Sequence, residues 1–368
     1  MKTVIIIGGG LSGLIAGIRL SRAGFKCTLI EKKIYPFHRV CGEYISNETL
    51  EFLTTENLYP AEFHPAQIHR FQLSTTSGKQ ATLSLDLGGF GISRYAMDNF
   101  LYEIALSAGV ACHLNEEVIE VASHKNTFLV KSDKKQYTGD LVIGGMGKRS
   151  RIDASLNRSY FTKPSPYAAV KYHIVSDHAH DTIALHNFAG GYCGVSNIEN
   201  NKTNLCYLVH RDLLRHAGDI KTLEEKVLFK NPLLKKIFTT SEFLFEKPET
   251  ISEISFVTKE PVWKNIVMTG DAAGMIAPLC GNGMAMAIHS AKLLTDILIE
   301  NETRSQAYIE KIYSRVWKQH FSSRLRFGRF VQNNLFGNSW SSNLAMRIAV
   351  DLPIIARWII RNTHGKSF

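Results

Sequence analysis

The chain has 368 residues, of which 45% are apolar and 21% are charged, and this composition excludes a mainly disordered protein. The length allows two or three domains, each with its own core. The formal net charge of +10 is unevenly distributed. Residues 311–368 contain ten basic residues and one acid, Asp351, whereas residues 1–310 contain 33 basic and 32 acidic residues. We therefore predict a nearly neutral body followed by a basic C-terminal segment.

The sequence lacks the marks of metal-binding, secreted and membrane-spanning proteins. Its six cysteines, at positions 27, 41, 112, 193, 206 and 280, form no Cys-x-x-Cys pair and no zinc-like spacing, so no metal site is predicted. Scattered cysteines of this kind suit a reducing cytoplasm, which is the predicted location. Glycines interrupt the apolar N-terminal run, so we predict no signal peptide. The longest uncharged stretch, residues 272–291, contains Pro278 and three glycines and makes a poor membrane span.

The first predicted elements form a strand–turn–helix–strand unit. Residues 3–7 (TVIII) have the β-branched composition of a buried parallel strand, and a glycine-rich turn and an apolar helix follow. In the pattern G-x-G-x-x-G, Gly8 allows the tight turn, Gly10 lets the backbone approach a pyrophosphate, and Gly13 lets the helix pack closely. Glu31 ends the second strand, where its carboxylate suits the hydroxyls of a ribose. The unit therefore predicts a dinucleotide-binding site.

A second glycine-rich cluster lies about 260 residues further along the chain. Residues 263–268 predict a strand that leads into Gly270 and Asp271, and Gly281 and Gly283 precede a long helix. A carboxylate at a strand end suits a ribose or ribityl hydroxyl. A helix N-terminus suits the edge of an isoalloxazine, where negative charge gathers in a reduced flavin. The two clusters together favour FAD as the ligand.

The segments 8–31 and 270–284 together resemble the FAD-dependent oxidoreductase superfamily that contains 4-hydroxybenzoate hydroxylase, the geranylgeranyl reductases and the flavin halogenases. The resemblance implies an α/β fold: a Rossmann-like FAD-binding domain with a parallel sheet, an inserted antiparallel β-sheet substrate domain, and C-terminal helices. It also implies domain limits, namely a discontinuous FAD-binding domain (1–75, 90–160 and 255–300), a substrate-binding sheet domain (76–89 and 161–254) and a basic helical segment (301–368).

The resemblance carries over to further residues. Arg94 matches an arginine that lies near the cofactor in relatives, although a solvated arginine at a helix start is an alternative. Val118 matches a strand whose backbone meets the adenine. Met146 is a departure, because the hydroxylases have an aspartate there that helps hold the flavin pyrophosphate. The cofactor-binding residues implied are Gly8, Gly10, Ser12, Gly13, Glu31, Lys32, Arg39, Cys41, Gly42, Arg94, Val118, Gly147, Gly270, Asp271, Gly281, Gly283 and Met284.

Catalytic candidates come from the segment 36–46, which is similar to the Pro-x-x-Lys/Arg-x-Cys-Gly segment of the geranylgeranyl reductases. In that group the Cys-Gly lies beside the flavin, so Cys41 is either a proton donor or a small packing residue. His38 and Glu43 are polar candidates on the same loop, although surface positions are expected for both. Tyr192 is the third catalytic candidate.

Tyr192 matches the first residue of a Tyr-x-Trp-x-Phe-Pro segment that holds the isoprenoid in the reductases. The tryptophan, phenylalanine and proline are replaced here by Gly194, Ser196 and Asn197, which disfavours a long-chain isoprenoid. Residues 165–210 and 240–260 alternate in the manner of strands and predict a sheet that forms one wall of the substrate pocket.

The predicted function is that of an FAD-dependent monooxygenase acting on a lipophilic small molecule, such as an aromatic or polyketide-like compound. A flavin-dependent C=C reductase and a non-catalytic flavin- or ligand-binding protein are alternatives. No second G-x-G-x-x-G unit is present, so NAD(P)H is expected only as a transient electron donor. The basic segment predicts either a helical cap over the pocket or peripheral contact with a membrane. Nucleic acid is not an expected partner, because no recognised module accompanies the charge.

Overall fold

The computed structural model describes residues 2–124, 127–158, 166–254, 258–335 and 338–368. In chain order its strands are β1 (Thr3–Ile7), β2 (Lys26–Glu31), β3 (Tyr44–Ser46), β4 (Ala66–Ser74), β5 (Gln80–Gly91), β6 (Ala111–Leu114), β7 (Val118–His124), β8 (Thr127–Ser132), β9 (Gln136–Gly139), β10 (Leu141–Gly144), β11 (Tyr167–Val175), β12 (Thr182–Phe188), β13 (Gly191–Asn197), β14 (Thr203–His210), β15 (Glu242–Phe243), β16 (Glu249–Ile254), β17 (Val262–Trp263) and β18 (Ile266–Met268). Its α-helices are α1 (Leu11–Arg22), α2 (Leu50–Thr55), α3 (Arg94–Ser107), α4 (Arg151–Ser155), α5 (Arg211–Ala217), α6 (Ile220–Lys226), α7 (Pro232–Thr240), α8 (Gly283–Glu300), α9 (Gln306–Leu335), α10 (Ser339–Asp351) and α11 (Pro353–Thr363).

A parallel sheet organises the N-terminal part of the fold. Over the described ranges it has six strands in the order β17-β18-β10-β1-β2-β6, and all neighbours are parallel except β17 and β18. Residues 4–7 of the inner strand β1 are all buried, as expected for a strand that is covered on both faces. Helix α1 follows β1 directly and packs against α3 and α8. The predicted Rossmann-like parallel sheet is confirmed.

A second, larger sheet is mainly antiparallel. Among the described residues it has nine strands: eight follow the order β15-β11-β14-β13-β12-β4-β5-β3, and β16 also pairs with β11. Its side chains alternate between the two faces. On β11, Val170 and Tyr172 pack into a core with helices α5 to α7, whereas Lys171 and His173 point the other way and contact Glu43. One face of the larger sheet is therefore structural, and the other is turned towards the parallel-sheet domain.

The pairing of strands β3, β4 and β5 does not follow the domain limits predicted from the sequence. Strands β3 and β4 both pair with β5 in the larger sheet, although they lie within the range 1–75 predicted for the FAD-binding domain. Strands β4 and β5 form a hairpin in which Ser74 pairs with Gln80, so a boundary at residue 75 falls inside its turn. Hydrogen bonding between these strands assigns both of them to the larger sheet.

The C-terminal segment is helical, as predicted. Apolar residues of α9 recur every fourth position and are buried against the parallel-sheet domain: Ile309, Tyr313, Trp317, Phe321 and Leu325. The Tyr313 hydroxyl donates a hydrogen bond of 2.7 Å to the carbonyl at the end of β18. Helices α10 and α11 then turn back onto β5 of the larger sheet. Across the described parts of the chain, we find no helix with the length and hydropathy needed to span a bilayer.

Candidate active site

The turn between β1 and α1 is built on two glycines in close contact. Gly8 has φ of +97°, a conformation that favours glycine. A Cβ atom on Gly13 would lie 2.0 Å from the carbonyl oxygen of Gly8, so a larger residue would force the helix away from the strand. The N-terminus of α1, capped by Gly10, opens onto a cavity of about 810 Å³. Its N–H groups and partial positive charge suit an anionic ligand.

Five glycines expose bare backbone to the same cavity. A Cβ atom on Gly10, Gly281 or Gly283 would meet its nearest neighbour at 3.6 Å or more. At Gly42 and Gly147 it would meet nothing within 4 Å. All five line the cavity; the space beside Gly42 and Gly147 is open, and the other three are bordered by protein atoms at ordinary van der Waals distance. We call this set the glycine cradle; it lets a large, extended ligand lie directly against the main chain.

Glu31 lies at one end of the cradle, at the carboxyl end of β2. Its carboxylate accepts hydrogen bonds from the N–H of Gly9 at 2.8 Å and the N–H of Lys33 at 3.0 Å. Nη2 of Arg39 also lies 3.4 Å from the oxygen that accepts from Gly9, so the orientation of the carboxylate is fixed while the other oxygen keeps a lone pair for a further donor. Lys32 and Val118 line the cavity near by. This end of the cradle fits the ribose and adenine of a dinucleotide.

Arg94 lies beside the cradle and is mostly buried. Its Nε and Nη2 atoms each donate to a carboxylate oxygen of Asp98 at 2.7 Å, and Arg39 donates to the same carboxylate at 3.0 Å. The nearest atom to a Cβ built on Gly10 is Nη2 of Arg94, at 3.7 Å. The alternative of a solvated arginine is wrong, because the bidentate pair holds the guanidinium inside the site. Asp98, which orients both arginines, was not among the predicted residues.

Glu43 is fully buried at the junction between the two sheets. Its carboxylate lies 2.5 Å from Nζ of Lys171 and 2.7 Å from Nε2 of His173, and it accepts the backbone N–H of Arg94 at 2.8 Å. Burial by itself would raise the pKa of Glu43, but the charge of Lys171 and the hydrogen bond from His173 outweigh burial and lower the pKa to about 2. The expected surface position of Glu43 is wrong, since partners about 130 residues away enclose it.

The loop that carries Cys41 and Gly42 is held by polar side chains of the larger sheet. Asn204 donates to the carbonyl oxygens of both residues, at 3.2 and 3.0 Å, and Ser196 donates to that of Gly42 at 3.2 Å. These bonds satisfy the loop carbonyls on the sheet side. The loop thereby presents Cys41 and the bare backbone of Gly42 to the cavity.

The three predicted catalytic residues, His38, Cys41 and Tyr192, all line the cavity. Burial, followed by the charge of Lys171, lowers the pKa of His38 to about 4, so His38 is a neutral imidazole at neutral pH. Burial raises the pKa of Tyr192 well above its ordinary value, so its phenol stays protonated. Cys41 is half-buried in the cavity wall. His38 is therefore not a cationic proton donor at neutral pH, and the raised pKa of Tyr192 makes its phenol a weak acid.

Beyond the cradle the cavity continues into a space that we call the apolar compartment. Its walls are the inner face of the larger sheet and the inner faces of α10 and α11. Typical lining residues are Leu73, Leu83, Leu185, Ile251, Ala349 and Ile360. The whole cavity is within the size range of small-molecule and cofactor sites. Such a lining can bury apolar surface of a ligand.

The fold brings the predicted cofactor-binding residues together around one cavity, although two of them do not line it. All of them line the cavity except Gly13 and Gly270. Gly270, with φ of +60°, packs against Ser12, whose Oγ would lie 2.6 Å from a Cβ there. Met146 also lines the cavity, beside Gly147. The part that each residue takes in holding the cofactor stays a prediction.

The parallel sheet, the glycine cradle and the adjoining apolar compartment define a dinucleotide-dependent oxidoreductase. The chain belongs to the FAD binding domain family, which matches residues 1–316. Its cofactor is FAD, and the cradle, the N-terminus of α1 and the Glu31 carboxylate fit that group. The protein is thus an FAD-dependent enzyme, in which bound FAD supplies the redox chemistry.

Known proteins confirm the predicted resemblance. The chain is 24% identical over 358 residues to digeranylgeranylglycerophospholipid reductase 1 of Methanopyrus kandleri, covering 90% of each sequence. It is 25% identical over 326 residues to 3-hydroxybenzoate 6-hydroxylase of Klebsiella oxytoca, covering 80% of this chain and 79% of that protein. Its fold is similar to that of halogenase PltM in complex with phloroglucinol and FAD, with a TM-score of 0.78 at 15% identity over 98% of this chain and 82% of that one.

Proposed function

We propose that this enzyme is an FAD-dependent monooxygenase that hydroxylates a lipophilic small molecule. The observation that carries the proposal is the continuity of the cavity, which joins the glycine cradle to the apolar compartment. A ligand held between the larger sheet and helices α10 and α11 would lie against the cofactor end marked by Gly281 and Met284. Aromatic and polyketide-like compounds have the apolar surface that this lining would bury.

The reaction balances with NAD(P)H as a transient electron donor. One oxygen atom of O₂ enters the substrate, and the other leaves as water after taking up two electrons and one hydrogen from NAD(P)H, as a hydride equivalent, and one further proton from solvent. Chemistry of this type needs a site from which water is excluded. The sheet wall and the two C-terminal helices would shield part of the bound ligand from water, and Arg94, held by Asp98, would orient the cofactor from the side of the cradle.

The mass of the product tests the reaction. Purified protein with bound FAD would be incubated with NADH or NADPH and a panel of lipophilic compounds in air, and products would be analysed by mass spectrometry. We expect a gain of one oxygen atom. A gain of two hydrogen atoms would show that the enzyme reduces a C=C bond rather than hydroxylating its substrate. If no compound changes mass while the protein retains FAD, the protein is one that binds its ligand without turnover.

Reduction of a C=C bond is the second candidate function, and the position of Cys41 favours it. Hydride from reduced flavin and a proton from a donor such as the Cys41 thiol would saturate the bond. If so, Cys41→Ala should lower the reduction rate by about 10²–10⁴-fold with FAD content unchanged. Cys112→Ala, in strand β6 outside the cavity, is the matched control. An unchanged rate in the Cys41 variant would remove the thiol from the mechanism.

The apolar compartment can be tested separately from the cofactor site. Ala349→Trp places a large side chain in the lining, so we expect the KM for the lipophilic substrate to rise about tenfold or more while the visible flavin spectrum is unchanged. Ala23→Trp, at an exposed position after α1, should leave both unchanged. A normal KM in the Ala349 variant would show that the substrate binds elsewhere.

A further inference from the structure

Large apolar side chains are concentrated on the outer surface of the last two helices. Within the described residues, sixteen large apolar side chains are exposed, and seven of them lie between positions 330 and 358. Trp340 is 73% exposed and Ile354 is 82% exposed, and no other member of the sixteen exceeds 61%. An exposed apolar patch of this kind marks an interaction surface rather than an ordinary solvated face.

The patch is centred on the junction between α10 and α11. Val350 and Leu352 lie at the end of α10, Ile354 and Ile355 lie in the first turn of α11, and Trp358 follows one turn later. We call these five residues the apolar tip. The opposite face of α11 is also apolar, because Ala356, Ile359 and Ile360 line the apolar compartment. A helix that is apolar towards both the interior and the solvent is expected to have a partner on its outer face.

The charge around the apolar tip indicates what kind of partner fits. Arg347 and Arg357 are exposed on the same two helices, and Arg326 is exposed near the end of α9. Asp351 is the single acid between residues 311 and 368. A second copy of the chain would bring two such basic segments together, which like-charge repulsion disfavours. A bilayer surface with anionic headgroups matches both the positive charge and the aliphatic and tryptophan side chains.

We propose that the apolar tip docks on the surface of an anionic lipid bilayer. Leu352, Ile354 and Trp358 would enter the boundary between headgroups and acyl chains, while Arg347 and Arg357 pair with lipid phosphates. The same two helices wall the apolar compartment, so a lipophilic substrate would pass from the bilayer into the cavity along their surfaces. This delivery step rests on the proposed function, whereas the docking itself does not.

Vesicle flotation with the full-length, FAD-loaded protein tests the docking. The vesicles would contain phosphatidylcholine alone or phosphatidylcholine mixed with phosphatidylglycerol. We expect the protein to float with the anionic vesicles, and the emission of Trp358 and Trp340 to shift to shorter wavelength. The double variant I354D/W358D should lower the bound fraction about tenfold. The matched control is Leu129→Asp, an exposed apolar position on strand β8, which should bind like the parent protein.

The outcomes separate the alternatives. Absence of parent protein from the floating anionic fraction would overturn the proposal, as would equal loss of binding in the control variant. A dimer of the parent protein in light scattering that I354D/W358D converts to monomer, without vesicle binding, would assign the apolar tip to a second copy and overturn it too. Retained flavin absorbance shows that the variants are folded. Intact vesicle binding without substrate turnover would contradict the proposed function alone.

Discussion

Replacing Lys171 by methionine should lower the free energy of unfolding by about 3–5 kcal/mol. The substitution leaves the Glu43 carboxylate fully buried without its closest cation, whose Nζ lies 2.5 Å away in the parent protein. His173 would remain in contact with Glu43, but a histidine does not carry the fixed charge of a lysine and so would not replace it. Chemical denaturation followed by far-ultraviolet circular dichroism measures the change. We also expect weaker retention of FAD, because the 39–43 loop borders the cofactor site.

An exposed ion pair supplies the control. Lys236 lies 3.4 Å from Asp177, and both side chains are largely exposed. Lys236→Met should change the free energy of unfolding by less than about 1 kcal/mol, since exposed pairs are well solvated and screened. Equal effects of the two substitutions would show that Glu43 is not stabilised by Lys171 in the way that the geometry indicates.

The same network predicts a pH dependence. The pKa of Glu43 is about 2 in the folded protein and 4.5 as its ordinary value, so the folded state binds this proton less readily than the unfolded state. Its contribution, about 3 kcal/mol, is fully present above pH 4.5 and is lost as the pH falls from there towards 2. Lys171→Met should reduce this acid-dependent loss. A parent protein whose stability is flat between pH 5 and 2.5 would contradict the assignment.

Substituting alanine for Gly13 should remove most of the bound FAD. The new Cβ would lie 2.0 Å from the carbonyl oxygen of Gly8, so the first turn of α1 has to move away from β1. Overpacking of this kind costs about 1–3 kcal/mol, which corresponds to about 5- to 150-fold weaker FAD binding if it acts on the cofactor site alone. Visible flavin absorbance of the purified protein, and titration with added FAD, measure the loss.

Gly17, one turn later in α1, provides a matched comparison. An added Cβ there would lie 3.3 Å from Cδ1 of Ile6 and 3.5 Å from a methyl group of Val110, both of which are ends of mobile side chains. Alanine also favours a helix over glycine by about 0.5–1 kcal/mol. Gly17→Ala should therefore keep its FAD. Full FAD occupancy in the Gly13 variant would show that the close contact with Gly8 is not needed for binding.

Motifs that lie within one short stretch of chain could be predicted from the sequence. The Gly8–Gly13 turn and Glu31 belong to a single strand–helix–strand unit, so their spacing fixes their arrangement. Gly281 and Gly283 likewise precede the helix that they open. In each case, local conformation and function are set by the same few residues.

Contacts between distant segments were not predictable in the same way. Glu43 stands in a loop of mixed polarity, and nothing in that loop shows that Lys171 and His173, on the distant strand β11, contact it. One signal was present, because Lys171 and His173 lie within the mainly apolar run AAVKYHIV, and a lysine in a buried strand requires a partner. For the basic segment, the sequence predicted a helical cap over the pocket only as one of two alternatives, because which sides of α10 and α11 face the compartment depends on tertiary packing.

The larger sheet contacts both the loop beside the cofactor and the helices that close the substrate space. Asn204, Ser196 and Lys171 brace the loop beside the cofactor, whereas the opposite wall of the substrate space is formed by α10 and α11, which make no part of that bracing among the described contacts. Changes in α10 can therefore reshape the compartment without disturbing that loop, whereas the end of α11 also contacts the glycine cradle, where Asn282 donates a hydrogen bond to the Thr363 carbonyl at 3.3 Å. In evolutionary terms, substrate preference can diverge through α10 while the redox centre stays constant.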